Sequence, residues 1–240
     1  MSKPVILIGQ PTYGGMVLGA ERSVCSTATR RYETRTIQHG CSLLAHSFNF
    51  LWCHLLNTRH QDRITHFAML HNDICPQDWW VDTLMEELNA HDADIVSTVV
   101  PIKSLEGTTS TALEVHSDPW ETVPKLTLHQ AHSLPRTFDR TAFPKAGGLL
   151  VNTGCWLCKV GDWCERVWFE IDDRIVKRDG VWVPQVVPED WNFSRLANRM
   201  NLKVMATTAV KVNHKGALDY GSHSPWGEET DPRFPGRSWQ

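Results

Sequence analysis

Nothing in this 240-residue chain approaches the roughly 20 consecutive apolar residues that a membrane-spanning helix needs, so no transmembrane segment is expected. A basic excess is also missing. Lys plus Arg number 24 against 27 Asp plus Glu, a net charge of -3. That balance argues against a broad nucleic-acid-binding surface, though not against a local basic groove. The opening run, Val5-Ile6-Leu7-Ile8-Gly9, is too short for a secretory leader and reads as a buried strand. The seven cysteines are odd in number and scattered, which argues against a disulfide framework and for reduced thiols in a cytoplasmic protein. Internal repeats and a recognisable linker are absent too, so residues 1–240 are expected to form a single domain.

What is present is the composition of a folded chain: 41% hydrophobic and 21% charged residues. Tryptophan is frequent, at 11, and most such side chains are core, with a few able to stack on a sugar or base. Over the first hundred residues short apolar runs alternate with helical spacing. Strands are expected over 5–9, 36–38, 65–70 and 94–102, and helices over 17–31, 45–57 and from Pro76 through Leu88. This alternation predicts an α/β, Rossmann-like fold with a mostly parallel central sheet. Ligands of such sheets sit at the carboxyl ends of the strands. Residues 103–147 read as irregular strands and a long excursion over the site. A strand-like run over 148–159, a short helix over 161–169, a hairpin around Asp179-Gly180, a helix over 189–201 and a strand over 203–212 follow. Residues 217–240, rich in Gly, Pro and Ser, read as a loop or lid.

Three polar points stand where strands or helices should end. His71-Asn72-Asp73 closes an apolar run, Glu189-Asp190 opens a helix, and His214 in Val212-Asn213-His214-Lys215-Gly216 ends a strand. Each has an ordinary reading: a turn-capping Asp, acidic residues favoured by a helix dipole, a lone exposed His. Two carboxylates and an imidazole converging would suit a divalent metal holding a phosphate, with a base nearby. Cys155, Cys158 and Cys164 are spaced C-x₂-C-x₅-C but lack a second ligand pair, so buried thiols are the better reading than zinc.

These segments resemble nucleotide-sugar glycosyltransferases of the GT-A fold, of the family-2-like kind common in phage and bacterial genomes. The resemblance runs from about Val5 to Gly216 in the family's order. It implies a donor-binding half over about 1–103 and an acceptor-side half over about 104–216. The loop Gln10-Pro11-Thr12-Tyr13-Gly14 then receives the nucleotide, and His71-Asn72-Asp73 stands where the family carries Asp-X-Asp, with His71 replacing the first Asp. Asn152-Thr153-Gly154 floors the sugar site, and Lys215 is within reach of a phosphate. Asp73 and His214 become metal ligands for Mn²⁺ or Mg²⁺, Asp190 the general base with Glu189 beside it, and Trp191 an acceptor contact.

The function implied is transfer of a hexose or pentose from a nucleoside-diphosphate donor, a UDP-sugar first, to a hydroxyl. One implied acceptor is a hydroxymethylated pyrimidine in phage DNA, with basic residues in 59–63 and 125–140 contacting phosphates. A glycan or a protein acceptor stays open. So does a non-catalytic sugar-nucleotide-binding module, for which the His71 replacement speaks. A nucleotidyltransferase would need a basic residue beside Gly14-Gly15, and none is there. The setting implied is a bacterial or phage-infected host cytoplasm.

Overall fold

A computed structural model of the chain describes residues 3–12, 27–216 and 218–227. Most of the expected 17–31 helix, Tyr13, Gly14 and most of the 217–240 lid lie outside the described residues. Strand β1 (Val5–Thr12) is followed by β2 (Glu33–Gly40), helix α1 (Leu44–Thr58), β3 (His66–Leu70), β4 (Ile74–Pro76), α2 (Trp80–Ala90) and β5 (Ile95–Thr98). Next come β6 (Thr108–Glu114), β7 (Lys125–Thr127), α3 (Leu128–Ser133), β8 (Thr137–Phe138), β9 (Gly148–Leu150) and β10 (Cys155–Lys159). The hairpin β11 (Asp172–Arg178) and β12 (Val181–Val187), helix α4 (Glu189–Arg199), and β13 (Val204–Thr207), β14 (Val212–Lys215) and β15 (Asp219–Gly221) complete the order.

Seven strands form one sheet in the order β2-β1-β3-β10-β5-β13-β8. It is mixed rather than mostly parallel. β1 pairs in parallel with β2 and β3, and β5 with β13, while β10 runs antiparallel to both β3 and β5, and β8 to β13. Periodicity could not reveal this, because a short apolar run buried on both faces looks the same in either direction.

The alternation inside β1 explains the layering. Val5 and Leu7 pack with Phe48, Leu51, Trp52 and Leu55 of α1, whereas Ile6 and Ile8 pack with Trp80, Leu84 and Leu88 of α2. Successive side chains of a strand point to opposite faces, so the sheet is covered on both sides. The architecture is a mixed α/β single domain. Tryptophan mostly serves this core: Trp52 lies 5.2 Å from the Phe67 ring, and Trp156 lies 4.8 Å from Phe193.

Several expected boundaries shift for identifiable reasons. Pro76 does not open a helix; it ends β4, opposite Val212 of β14, and α2 starts only at Trp80, after Trp79 in a left-handed conformation (φ 63°). The 148–159 run splits into β9 and β10 in different sheets, and the 203–212 run splits likewise into β13 and β14. The expected hairpin forms, its Asp179-Gly180 turn having positive φ at both residues (49° and 84°), as a type I′ turn requires. The 161–169 helix is a 3₁₀ turn over Asp162–Arg166. Cys155 lies on the α2 side of the sheet and Cys158 and Cys164 on the α1 side, so the three thiols cannot share one metal ion. Burial pushes Cys155 up to about 12 and Cys164 to about 11. No helix among the described residues is long and apolar enough to cross a membrane.

Candidate functional site

The carboxyl ends of β1 and β3 are adjacent, since Gly9 pairs with Met69. Gln10 follows on β1, wholly buried, its Oε1 accepting a 2.8 Å bond from Gln38 Nε2 and its own Nε2 buried without a partner among the described residues. After β3 the chain turns sharply at His71, whose N–H donates to the Gly154 carbonyl at 2.8 Å. The His71 ring lies 5.1 Å from Phe48, and its Nε2 is also buried and unpartnered. Burial lowers His71 to about 4, so the imidazole is neutral around pH 7.

Asp73 completes that turn. Pairing of β14 with β4 sets His214 opposite Ile74, and the Lys215 N–H donates to the Asp73 carbonyl at 2.7 Å. His214 Nδ1 donates to the Pro101 carbonyl at 2.8 Å, and its Nε2 stands 3.3 Å from Asp73 Oδ2. The same oxygen accepts a 2.6 Å bond from Lys103 Nζ. Burial alone would raise the Asp73 carboxyl, but hydrogen bonds from His214 and Lys103 outweigh it and hold the group well below the usual carboxylate range.

In this structure a lysine shares the carboxylate expected to hold the divalent metal. Asp73 and His214 converge as two ligands would, and the bond from His214 to Pro101 is of the kind that orients a metal-bound imidazole. Yet the Lys103 ammonium already sits on the shared carboxylate oxygen, where a cation would go. No group of three His, Cys, Asp or Glu placed to hold a metal occurs among the described residues. Lys215 is turned elsewhere, with its ammonium on Asp219.

Residues 151–154 join the two halves of the site. Ser97 Oγ donates to the Asn152 carbonyl at 2.6 Å, Ser194 Oγ of α4 accepts the Val151 N–H at 2.9 Å, and the Gly154 N–H donates to Asn152 Oδ1 at 2.6 Å. Thr153 Oγ1 is buried without a partner. Gly154 is required by close approach: a Cβ there would lie 2.4 Å from Ile74 Cδ1 and 2.7 Å from Asn152 Oδ1.

Glu189 and Asp190 form the first turn of α4, each 8% exposed. A helix N-terminus favours negative charge. Burial wins here: it raises Glu189, and burial followed by the neighbouring Glu189 pushes Asp190 well above the usual range. Asp190 Oδ1 accepts the Trp191 N–H at 2.8 Å. Trp191 itself is committed to packing, with its Nε1 on the Ser110 carbonyl at 3.1 Å and Lys125 Nζ 5.5 Å from the ring centre.

The structure thus places Gln10, His71, Asn72, Asp73, Asn152, Thr153, Gly154 and His214 along one edge of the sheet, with Glu189 and Asp190 tied to it through Val151 and Ser194. Pro11 and Thr12 end β1 at that edge. Lys103 was missed. Its signal was a basic residue just past the strand ending near Ile102, on the ligand side of an α/β sheet. The basic stretches expected to contact phosphates are partly occupied: Arg59 is bound to Glu165, and Arg136 to Glu87.

No family model matches the sequence, and no curated protein matches it either. Among solved structures the chain is similar to A197 from STIV, with a TM-score of 0.55 and 15% identity over 94% of each chain. This likeness is one of fold. The class that architecture and comparison define is a mixed α/β domain built on a seven-stranded sheet.

Proposed function

We propose that the chain is a GT-A-like glycosyltransferase that moves a sugar from a nucleoside-diphosphate donor to a hydroxyl acceptor. One observation carries the reading. Gln10 Nε2, His71 Nε2 and Thr153 Oγ1, all buried and without a partner among the described residues, lie at one edge of three adjacent strands, beside the Asp73–Lys103–His214 charge cluster. Buried polar groups without partners are expensive in a folded protein, and a ligand rich in hydrogen-bonding atoms would satisfy them. The pairing of that edge with a buried carboxyl on α4 supports chemistry beyond binding.

In the reading we favour, the acceptor hydroxyl attacks the anomeric carbon as the bond from that carbon to the diphosphate oxygen breaks. Asp190 takes the hydroxyl proton, and the diphosphate leaves with the bonding pair. A base on the side opposite the leaving group makes this the inverting course. On a retaining course Asp190 would orient the substrates instead. The acceptor is proposed only as a hydroxyl compound. A hydroxymethylated pyrimidine in DNA, a glycan and a protein side chain are arms of the same assay.

The test is thermal stability against a panel of nucleotide sugars, each with and without Mn²⁺, followed by transfer assays on the donor that responds. A specific rise for one donor is expected, because a ligand of the native state stabilises it. No rise for any donor in a folded protein would remove the donor site from the reading.

A further inference from the structure

Lys103 is held in place by more than Asp73. Its backbone is fixed on both sides: Pro101 bridges Thr109, the Ile102 N–H donates to the Thr108 carbonyl at 2.9 Å, and the Ser104 N–H donates to the Ile102 carbonyl at 2.8 Å. Its stem runs over Gly216, where an added Cβ would stand 3.0 Å from Lys103 Cδ and 3.4 Å from Cγ. The bare Gly216 backbone, just past β14, therefore leaves room for the lysine stem. The side chain stays 37% exposed. An ammonium has three donors, and Asp73 Oδ2 takes one of them at 2.6 Å. Among the described residues the other two meet no acceptor, which leaves them for phosphate oxygens. His214 cannot fill that role alone, because its Nδ1 is committed to the Pro101 carbonyl.

We propose that Lys103, seated by Asp73 and Gly216, is the resident cation of the diphosphate site, so that donor binding needs no divalent metal. This rests on the donor-site reading above. The ammonium does what a metal would otherwise do: it offsets the negative charge that grows on the departing diphosphate. Asp73 is then a seat for the lysine rather than a metal ligand. His214, pinned by Pro101, closes the other side of the carboxylate.

The experiment is calorimetric titration of UDP, GDP and inorganic pyrophosphate into the full chain, once in EDTA and once in Mn²⁺. Wild type, Lys103→Gln and Gly216→Ala are compared. Wild type is expected to bind a diphosphate in EDTA. Lys103→Gln should weaken that binding by about tenfold or more, as loss of a close charge pair does. It should regain part of the loss in Mn²⁺, because the vacated carboxylate and imidazole then become free to hold a metal. Gly216→Ala, which keeps every charge but displaces the stem, should fall between the two. Binding by wild type only in Mn²⁺, with Lys103→Gln unaffected, would overturn the lysine role while leaving the donor site intact. No binding of any diphosphate under either condition, by a folded wild type, would overturn both.

Discussion

Asp73 and Asp190 are the same side chain in two opposite settings. Asp73 ends a strand, touches an ammonium and an imidazole, and is held ionised by them against the pull of burial. Asp190 opens a helix, is buried beside Glu189, and is pushed towards its protonated form even though a backbone N–H and the helix start favour its charge. Environments that drive two like groups apart are how one site divides labour between a fixed charge and a proton carrier. The lesson is that the role of each aspartate is written in its neighbours. Lys103 and His214 hold the first ionised, whereas burial beside Glu189 outweighs Lys125 at the second, which suits the proposed roles of anchor and base.

The largest expected effect breaks the proton-carrying half. Asp190→Asn should lower transfer by about 10²- to 10⁴-fold, the range for a general base, while donor binding by calorimetry stays within about twofold. Equal loss of both would mean that Asp190 holds substrate instead. In wild type the rate should climb with pH along a limb lying above the ordinary carboxylate range, belonging to the Glu189–Asp190 pair.

The same substitution separates stability from activity. A carboxyl raised on folding contributes stability fully present below its unfolded pKa, about 3.9, and lost as pH rises through the folded value. Wild type should therefore weaken in urea as pH climbs from about 4, and Asp190→Asn should show a shallower decline. A variant with the wild-type slope would place the raised titration elsewhere.

A smaller effect is expected from severing the link between the two settings. Gly154→Val would drive a side chain into Ile74 and Asn152. Overpacking of this kind costs about 1–3 kcal/mol, read from chemical denaturation. It should also lower transfer in the surviving folded fraction, since residues 151–154 tie His71 to Ser194 of α4. Unchanged stability would show that the turn can relax.

The smallest effect concerns the anchor. Asp73→Asn should cost about 1 kcal/mol or less at pH 7, as for a partly exposed ion pair. Its carboxyl is lowered on folding, so its contribution is present above the unfolded pKa and lost as pH falls below about 4. The variant should lack that part of the acid decline. If wild type and variant decline alike, the cluster contributes nothing to acid stability.

Much of the fold was legible where local pattern and final environment agree. The 45–57 helix appears as Leu44–Thr58, the 65–70 strand as His66–Leu70, and the 189–201 helix as Glu189–Arg199. Pattern misled where a neighbour overrode it. Pro76 suits a first helical turn, but pairing with Val212 keeps it in a strand. The 148–159 run reads as one strand because every residue suits one, yet β9 joins β6 and β10 joins the main sheet.

By itself the sequence determined that α and β elements alternate, which faces are apolar, and that polar residues gather at His71–Asp73, Glu189–Asp190 and His214. Those are local properties, set by side-chain periodicity and turn chemistry within a few residues. Tertiary structure alone decided that β10 enters the sheet antiparallel, that Cys164 packs in the same layer as Cys158, and that Lys103 meets Asp73 across 30 positions of chain. Each of these depends on which distant segments pair, and the free energy of pairing belongs to the contact rather than to either segment.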